Sequence, residues 1–248
     1  MHNKIYPIYK REMGSYFYSS IAYIFLILFV FMTNIMFFYF FGGIFKEETA
    51  SMRRFFTILP YVFTVFIPGV AMGSWAKEKS EGTIEMLFTY PVAQWKIIAG
   101  KFFAVLTLVG IALGCSLFIP LLTQIFVGDF DWGQLFTQYL GAVLMACAYI
   151  AVTFFMSSIT SELIDSFLLS AATLLLLTLA GYVTSAYVMV FPDWLGWLKI
   201  FLNEISLSTH FANFSKGVIH SKDVVYYLGV ALVFFYCNIR ALESKKWS

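Results

Sequence analysis

Charge is scarce in this sequence. Acidic and basic side chains make up 12% of its 248 residues, about half the share of an ordinary soluble domain. A soluble surface built from so few ionic groups would expose large apolar patches, which excludes a soluble globular protein. Cysteine is scarce too. Cys115, Cys147 and Cys237 each fall inside an apolar stretch with no CxxC spacing, which argues against a disulfide framework or a thiolate metal site. The three histidines, His2, His210 and His220, are far apart in tails or loops and form no metal-ligand spacing. No GxxxxGK[ST], GxGxxG or HExxH occurs, so the chain by itself has no phosphate cradle and no catalytic signature. The net charge is +2 and the basic residues are scattered at the ends of apolar blocks, which excludes a nucleic-acid patch. No Asp, Glu, Lys, Arg or His stands near the centre of an apolar block. An ion-coupled carrier usually needs a carboxylate at that depth, so an energy source within the chain is disfavoured.

What is abundant is hydrocarbon: 60% of residues are hydrophobic and 20% aromatic. Six blocks approach the ~20 residues that a membrane crossing needs, at about 19–41, 55–75, 99–127, 134–158, 166–190 and 223–240. The expected fold is therefore an all-α polytopic membrane protein with six transmembrane helices and one membrane domain over residues 1–248. The first block is too long for a cleaved signal peptide and reads as a retained span. Pro120 in the third block predicts a kink or an early end.

Orientation follows from the basic residues. With the N-terminus inside, ten of them face the cytoplasm (Lys4, Lys10, Arg11, Lys77, Lys79, Lys96, Lys101, Arg240, Lys245, Lys246). Six face outward (Lys46, Arg53, Arg54, Lys199, Lys216, Lys222), and both termini are then cytoplasmic. Residues 1–18 mix Tyr6, Ile8, Tyr9, Met13 and Phe17 with basic groups, the pattern of a helix lying in the headgroup region. Between spans five and six, Trp194, Trp197, Leu198, Phe201 and Leu202 recur near helical spacing, which predicts an outer amphipathic or re-entrant segment.

Residues 75–101 concentrate charge between apolar blocks. Glu78, Glu81 and Glu85 are three and four apart and would form one acidic helical face. Gly82 interrupts that helix, Thr83 is placed to cap a second one, and Pro91 ends it. Met86, Leu87 and Phe88 would then be exposed among charges on the cytoplasmic side. Two readings stand: an element docked into a groove on a soluble partner, or a loop on the headgroups. Pro68 and Gly69, just above, are candidate hinge residues for span two.

The stretch KEKSEGTIEMLFTYPVAQWKIIAGK resembles the region after the second span of ABC-2 type permeases, closest to the branch of gliding-motility and nitrous-oxide-accessory permeases. That pattern, approximately E-x-x-x-G-T-x-E-x-L-x-T-x-P-V followed by G-K-F, is met by Glu78, Gly82, Thr83, Glu85, Leu87, Thr89, Pro91, Val92, Gly100, Lys101 and Phe102. The resemblance extends to FIPGVAMGSWAKE, to YKREMGSYFYSSIAYIFLILF and to ISLSTHFANFSKGVIHSKDVVYY, although Gly73 stands where many relatives have a basic residue. It implies an N-terminal elbow helix, a cytoplasmic coupling helix between spans two and three, and a re-entrant outer segment between spans five and six. It further implies an ATP-binding-cassette transporter, with export as the expected direction, in the inner membrane of a bacterium. The partners would be two cytoplasmic ATPase subunits carrying ATP and Mg, a second permease chain, identical or related, and accessory proteins. No cofactor would reside in this chain, and it would not be an enzyme by itself. Glu78, Glu81, Gly82, Thr83, Glu85, Met86, Leu87 and Pro91 would be its ATPase-coupling residues. Rival expectations are a membrane scaffold that moves nothing and, more remotely, an ion-coupled carrier.

Overall fold

A computed structural model of the chain describes residues 5–37, 52–83, 92–127, 131–186 and 196–246. Every regular element among them is helical. The order begins α1 (Ile5–Tyr18), α2 (Ser20–Ile35), α3 (Arg53–Ala71), a 3-10 turn (Met72–Ser74), α4 (Ala76–Ser80) and α5 (Gln94–Ser116). It continues α6 (Phe118–Val127), α7 (Trp132–Ile159), α8 (Leu163–Ala186), α9 (Gly196–Ile205), α10 (Leu207–Ser215) and α11 (Ser221–Lys246). Five stretches are long and apolar enough to cross a membrane: Arg53–Ser80, Gln94–Leu122, Trp132–Ile159, Leu163–Tyr182 and Ser221–Ser244. A sixth is counted when α1 and α2, which meet at 72°, are taken as one bent span. The chain is an integral, all-α membrane protein.

The third span breaks at Leu117, three residues before Pro120. Pro120 then lies in the first turn of α6, where the missing N–H costs no helical bond. The last span is longer than its apolar block suggests, because α11 continues through Arg240 to Lys246.

Burial sorts the spans. In α3 and α7, 67% of the apolar window is buried, against 22% in α8 and 11% in α11, so the first two form the centre and the latter two its rim. Small residues on α7, among them Ala142, Ala146 and Ala151, let neighbouring helices approach it closely. Phenyl and phenol rings fill the remaining space: Phe29 meets Phe66 edge-on at 5.9 Å, and Phe56 meets Tyr139 at 5.0 Å. Deep in this centre the Tyr149 hydroxyl lies 2.7 Å from Thr178 Oγ1 and donates to the Pro60 carbonyl at 3.2 Å, joining α7, α8 and α3. A glycine sets each of two close approaches: a Cβ on Gly100 would come within 2.8 Å of Ile8, and one on Gly141 within 2.5 Å of Phe214. The first lets α1 lie against α5, where Tyr9 also donates to Thr107 at 3.2 Å.

Candidate functional site

At the end of the bundle that carries α4, the segment 72–80 is bonded to α5, α7 and α8, and through Lys101 of α5 it is linked to α1. Lys101 of α5 is 4% exposed, and its ammonium group donates to the Ser74 carbonyl at 2.7 Å and to Glu78 Oε1 at 2.6 Å. Glu12 of α1 lies 3.7 Å away, and the Trp75 ring lies beneath the charge at 4.8 Å from its centroid. A lysine so buried persists because two carboxylates and a carbonyl replace its water. Toward α7, the Trp75 and Ala76 amides both donate to Ser157 Oγ at 3.1 Å, while that hydroxyl donates to the Met72 carbonyl at 2.7 Å. Ser166 of α8 donates to the same carbonyl at 3.1 Å. Lys79 donates to the carbonyls of Ser158 and, at 2.7 Å, Thr160, and so supplies positive charge to the carbonyl end of α7.

Gly82 closes α4. It has φ +67°, and the bonds Gly82 N–H to Lys79 O (3.1 Å) and Thr83 N–H to Glu78 O (2.9 Å) form a Schellman cap. The positive φ gives the glycine its reason. Thr83 therefore finishes the first helix here; the expected second helix, with Glu85, Met86, Leu87 and Pro91, lies outside the described residues.

The candidate residues are not all placed alike. Glu81 is half-exposed beside Lys77 at 4.0 Å. Glu78 does not share that outward face: its side chain is 18% exposed and committed to Lys101. One uniform acidic face is thus corrected to one inward carboxylate and one outward. Helical spacing could not show this, because the partner lies 23 positions away. Pro68 and Gly69 lie within continuous α3, and the backbone tightens just after them at Met72–Ser74. A Cβ at Gly69 would meet nothing within 4 Å, so packing does not require glycine there. The apolar blocks are also not free of buried charge. Lys101 is two turns into α5 and Asp223 is in the first turn of α11, each buried near a span end.

The opposite end carries a second polar cluster. His210 of α10 faces two acceptors, Asp223 Oδ1 at 2.6 Å and the Glu204 carbonyl at 3.1 Å, one on each ring nitrogen. Asn213 donates to the other Asp223 oxygen at 2.8 Å, and Tyr226 stacks on the imidazole at 3.8 Å. Glu204 pairs with Lys222 at 2.8 Å, and that hydrogen bond holds its carboxyl below the usual carboxylate value. The expected amphipathic helix is present as α9, although Trp194 lies outside the described residues, and the structure adds α10, whose buried Leu207, Phe211 and Phe214 recur at helical spacing.

No curated protein matches the chain. A family model described as "ABC-2 family transporter protein" matches residues 49–236, from just before α3 to within α11. Its range takes in the bonded junction at 72–80, Lys101 and the cluster around His210, and it covers most of the 248 residues; the chain belongs to the ABC-2 family of transporter proteins, as a membrane subunit.

Proposed function

We propose that this chain is the permease of an ATP-driven exporter, moved by a separate ATPase that grips residues 76–91 from the cytoplasm. Two such ATPase subunits and a second permease chain, identical or related, would complete the transporter in a bacterial inner membrane. The observation that supports this reading best is the convergence of bonds on residues 72–80. A push on the segment that follows would reach α5 through Lys101, α1 through the Lys101–Glu12 pair, α7 through Ser157 and α8 through Ser166. Coupling between distant sites needs such an element, shared by several packed helices.

In this mechanism Glu81 and Glu85 meet basic or polar groups of the ATPase, and Met86 and Leu87 fill its groove. Glu78 and Lys101 act behind that surface and hold the handle to the bundle. Gly82 and Thr83 set the angle at which it leaves α4, Pro91 ends it, and Pro68 with Gly69 lets span two bend. Cargo passes between the two permease chains. The test is the double substitution Glu81→Lys and Glu85→Lys. Loss of ATPase co-purification and of ATP-driven transport, with membrane insertion intact, is expected. A double variant that still binds the ATPase and transports normally overturns the reading.

A further inference from the structure

A cavity of about 340 Å³ opens at the α10 end of the bundle, between the start of α3, the end of α8 and the α9–α10 pair. That volume is in the range of small-ligand sites. Pro60, Phe211 and Ala212 give it apolar wall, and Tyr61 of α3 and Tyr182 of α8 add two phenol rings. Aliphatic hydroxyls line much of the rest, and each has spent its proton on the protein. Thr57 donates to the Arg53 carbonyl at 2.8 Å, Ser208 to the Thr178 carbonyl at 2.7 Å, Thr209 to Asn203 Oδ1 at 3.3 Å and Ser215 to the Ala212 carbonyl at 2.8 Å. What these oxygens still offer is lone pairs. The Asn203 oxygen is occupied by Thr209, so its amide N–H groups remain. Neither those groups nor the Tyr61 hydroxyl has a hydrogen-bond partner among the described residues. Gly181 lets the end of α8 come against α10: a Cβ there would lie within 2.1 Å of Thr209 Oγ1 and 2.4 Å of Ser206 Oγ.

This lining disfavours ions of either sign. An anion only accepts hydrogen bonds, and these aliphatic hydroxyls have no proton left to give it. A metal cation is held by carboxylates or several carbonyls, and among the described lining residues there is no carboxylate. A ligand hydroxyl both gives a proton and accepts one, so it suits the lone pairs of the threonines and serines as well as the Asn203 amide. The phenol rings and the apolar wall suit C–H groups. From this chemistry we propose that the cavity binds a neutral sugar ring. The Asn203 amide donates to one ring hydroxyl, other ring hydroxyls donate to Thr57, Ser208 and Thr209, and Tyr61 completes the set. The fit calls on no charge. Beside the cavity, Trp197, Ile200 and Phe201 form an exposed apolar face of α9 at i, i+3 and i+4, against which a lipid carrying the ring would lay its chains. This site stands apart from the ATPase-docking segment at the other end of the bundle and does not rest on the transport reading.

The test uses the purified full-length chain in a polyoxyethylene detergent, which carries no sugar, and native mass spectrometry as the readout. The probes are monoglucosyl diacylglycerol, diacylglycerol, which lacks the ring, and phosphatidylglycerol, which carries an anion in its place. Wild type is expected to bind the glucosyl lipid about tenfold tighter than either of the others, the scale of one or two net hydrogen bonds. Asn203→Ala should remove most of that preference and Tyr61→Phe about a threefold part of it. Lys216→Gln, which changes an exposed cation outside the cavity, should leave it unchanged. Circular dichroism of each variant separates lost binding from lost fold, and Tyr61→Phe, which removes a single hydroxyl, carries the test if Asn203→Ala misfolds. Methyl glucoside at matching concentration tells the two sources of the ring apart: displacement of the glucosyl lipid marks a free sugar as sufficient, and no displacement marks a lipid-borne ring. Equal binding of the glucosyl lipid and diacylglycerol, tighter binding of phosphatidylglycerol, or the same preference in wild type and both cavity variants overturns the site.

Discussion

The two ends of this bundle hold their charges differently. At the α4 end the ionic groups come from distant parts of the chain: Glu12 on α1, Glu78 on α4 and Lys101 on α5. At the α10 end the principals, Glu204, His210, Asn213, Lys222 and Asp223, all lie within one local segment. The first arrangement fixes several spans to one short element. The second folds a connection back on itself and anchors it to α7 through Gln138, which donates to the Ser215 carbonyl at 2.8 Å. The lesson is that similar side-chain chemistry builds a junction in one place and a clamp in the other, depending on how far apart in sequence the partners lie.

Breaking one partner at each end should expose that difference. The largest effect is expected for Lys101→Met, which leaves Glu12 and Glu78 without their buried cation and should cost about 3–5 kcal/mol. Thermal unfolding in detergent measures it. Adding Glu78→Gln to that variant should recover part of the loss, and additive effects would show that the pair is not coupled. Next comes Asp223→Ala, which strips acceptors from His210 and Asn213 at a cost of about 2–3 kcal/mol. Its damage should be local. Limited proteolysis within residues 196–220 should rise well before the whole bundle melts; a uniform loss of stability would contradict the picture of a clamp.

The two helix-ending glycines sharpen the comparison at a smaller scale. Gly82 and Gly217 both have positive φ, +67° and +85°. Alanine should cost about 1–2 kcal/mol at either one from backbone strain. Around Gly82 the space is open, whereas a Cβ at Gly217 would come within 3.1–3.3 Å of Gln134. Gly217→Ala should therefore be the more harmful in a thermal melt, and equal effects would show that Gln134 yields. The smallest effect belongs to Glu204. Its carboxyl is held below its ordinary value by the Lys222 hydrogen bond, so the contribution is present above the unfolded value and fades as pH falls through the lower folded one. Both partners are exposed, so Glu204→Gln should only slightly flatten stability over that acidic range.

Much of the fold was legible in the sequence because a bilayer forces long apolar helices, and five of the expected spans stand out as single stretches. Boundaries were less legible. Pro120 marked a break, but the chain turns at Leu117 because proline is tolerated in the first turn of the next helix. The charged segment after span two was also legible, through its composition and the pattern around Gly82. The inward turn of Glu78 was not, since it depends on where α5 places Lys101. Lys79 reads in sequence only as a cytoplasmic charge, and its role on the α7 carbonyls needs the three-dimensional meeting of α4 with α7. His210 reads in sequence as a loop histidine, since no spacing rule links it to Asp223 thirteen residues later.

The central claim is that the chain leaving α4 is held by a cytoplasmic ATPase, and a photo-crosslinking residue placed at Glu81 tests it most directly. In intact cells, that residue should capture the ATPase subunit, while the same group at Lys216, at the far end of the bundle, should not. Capture of the ATPase from Lys216, or of nothing but lipid from Glu81, would contradict the account.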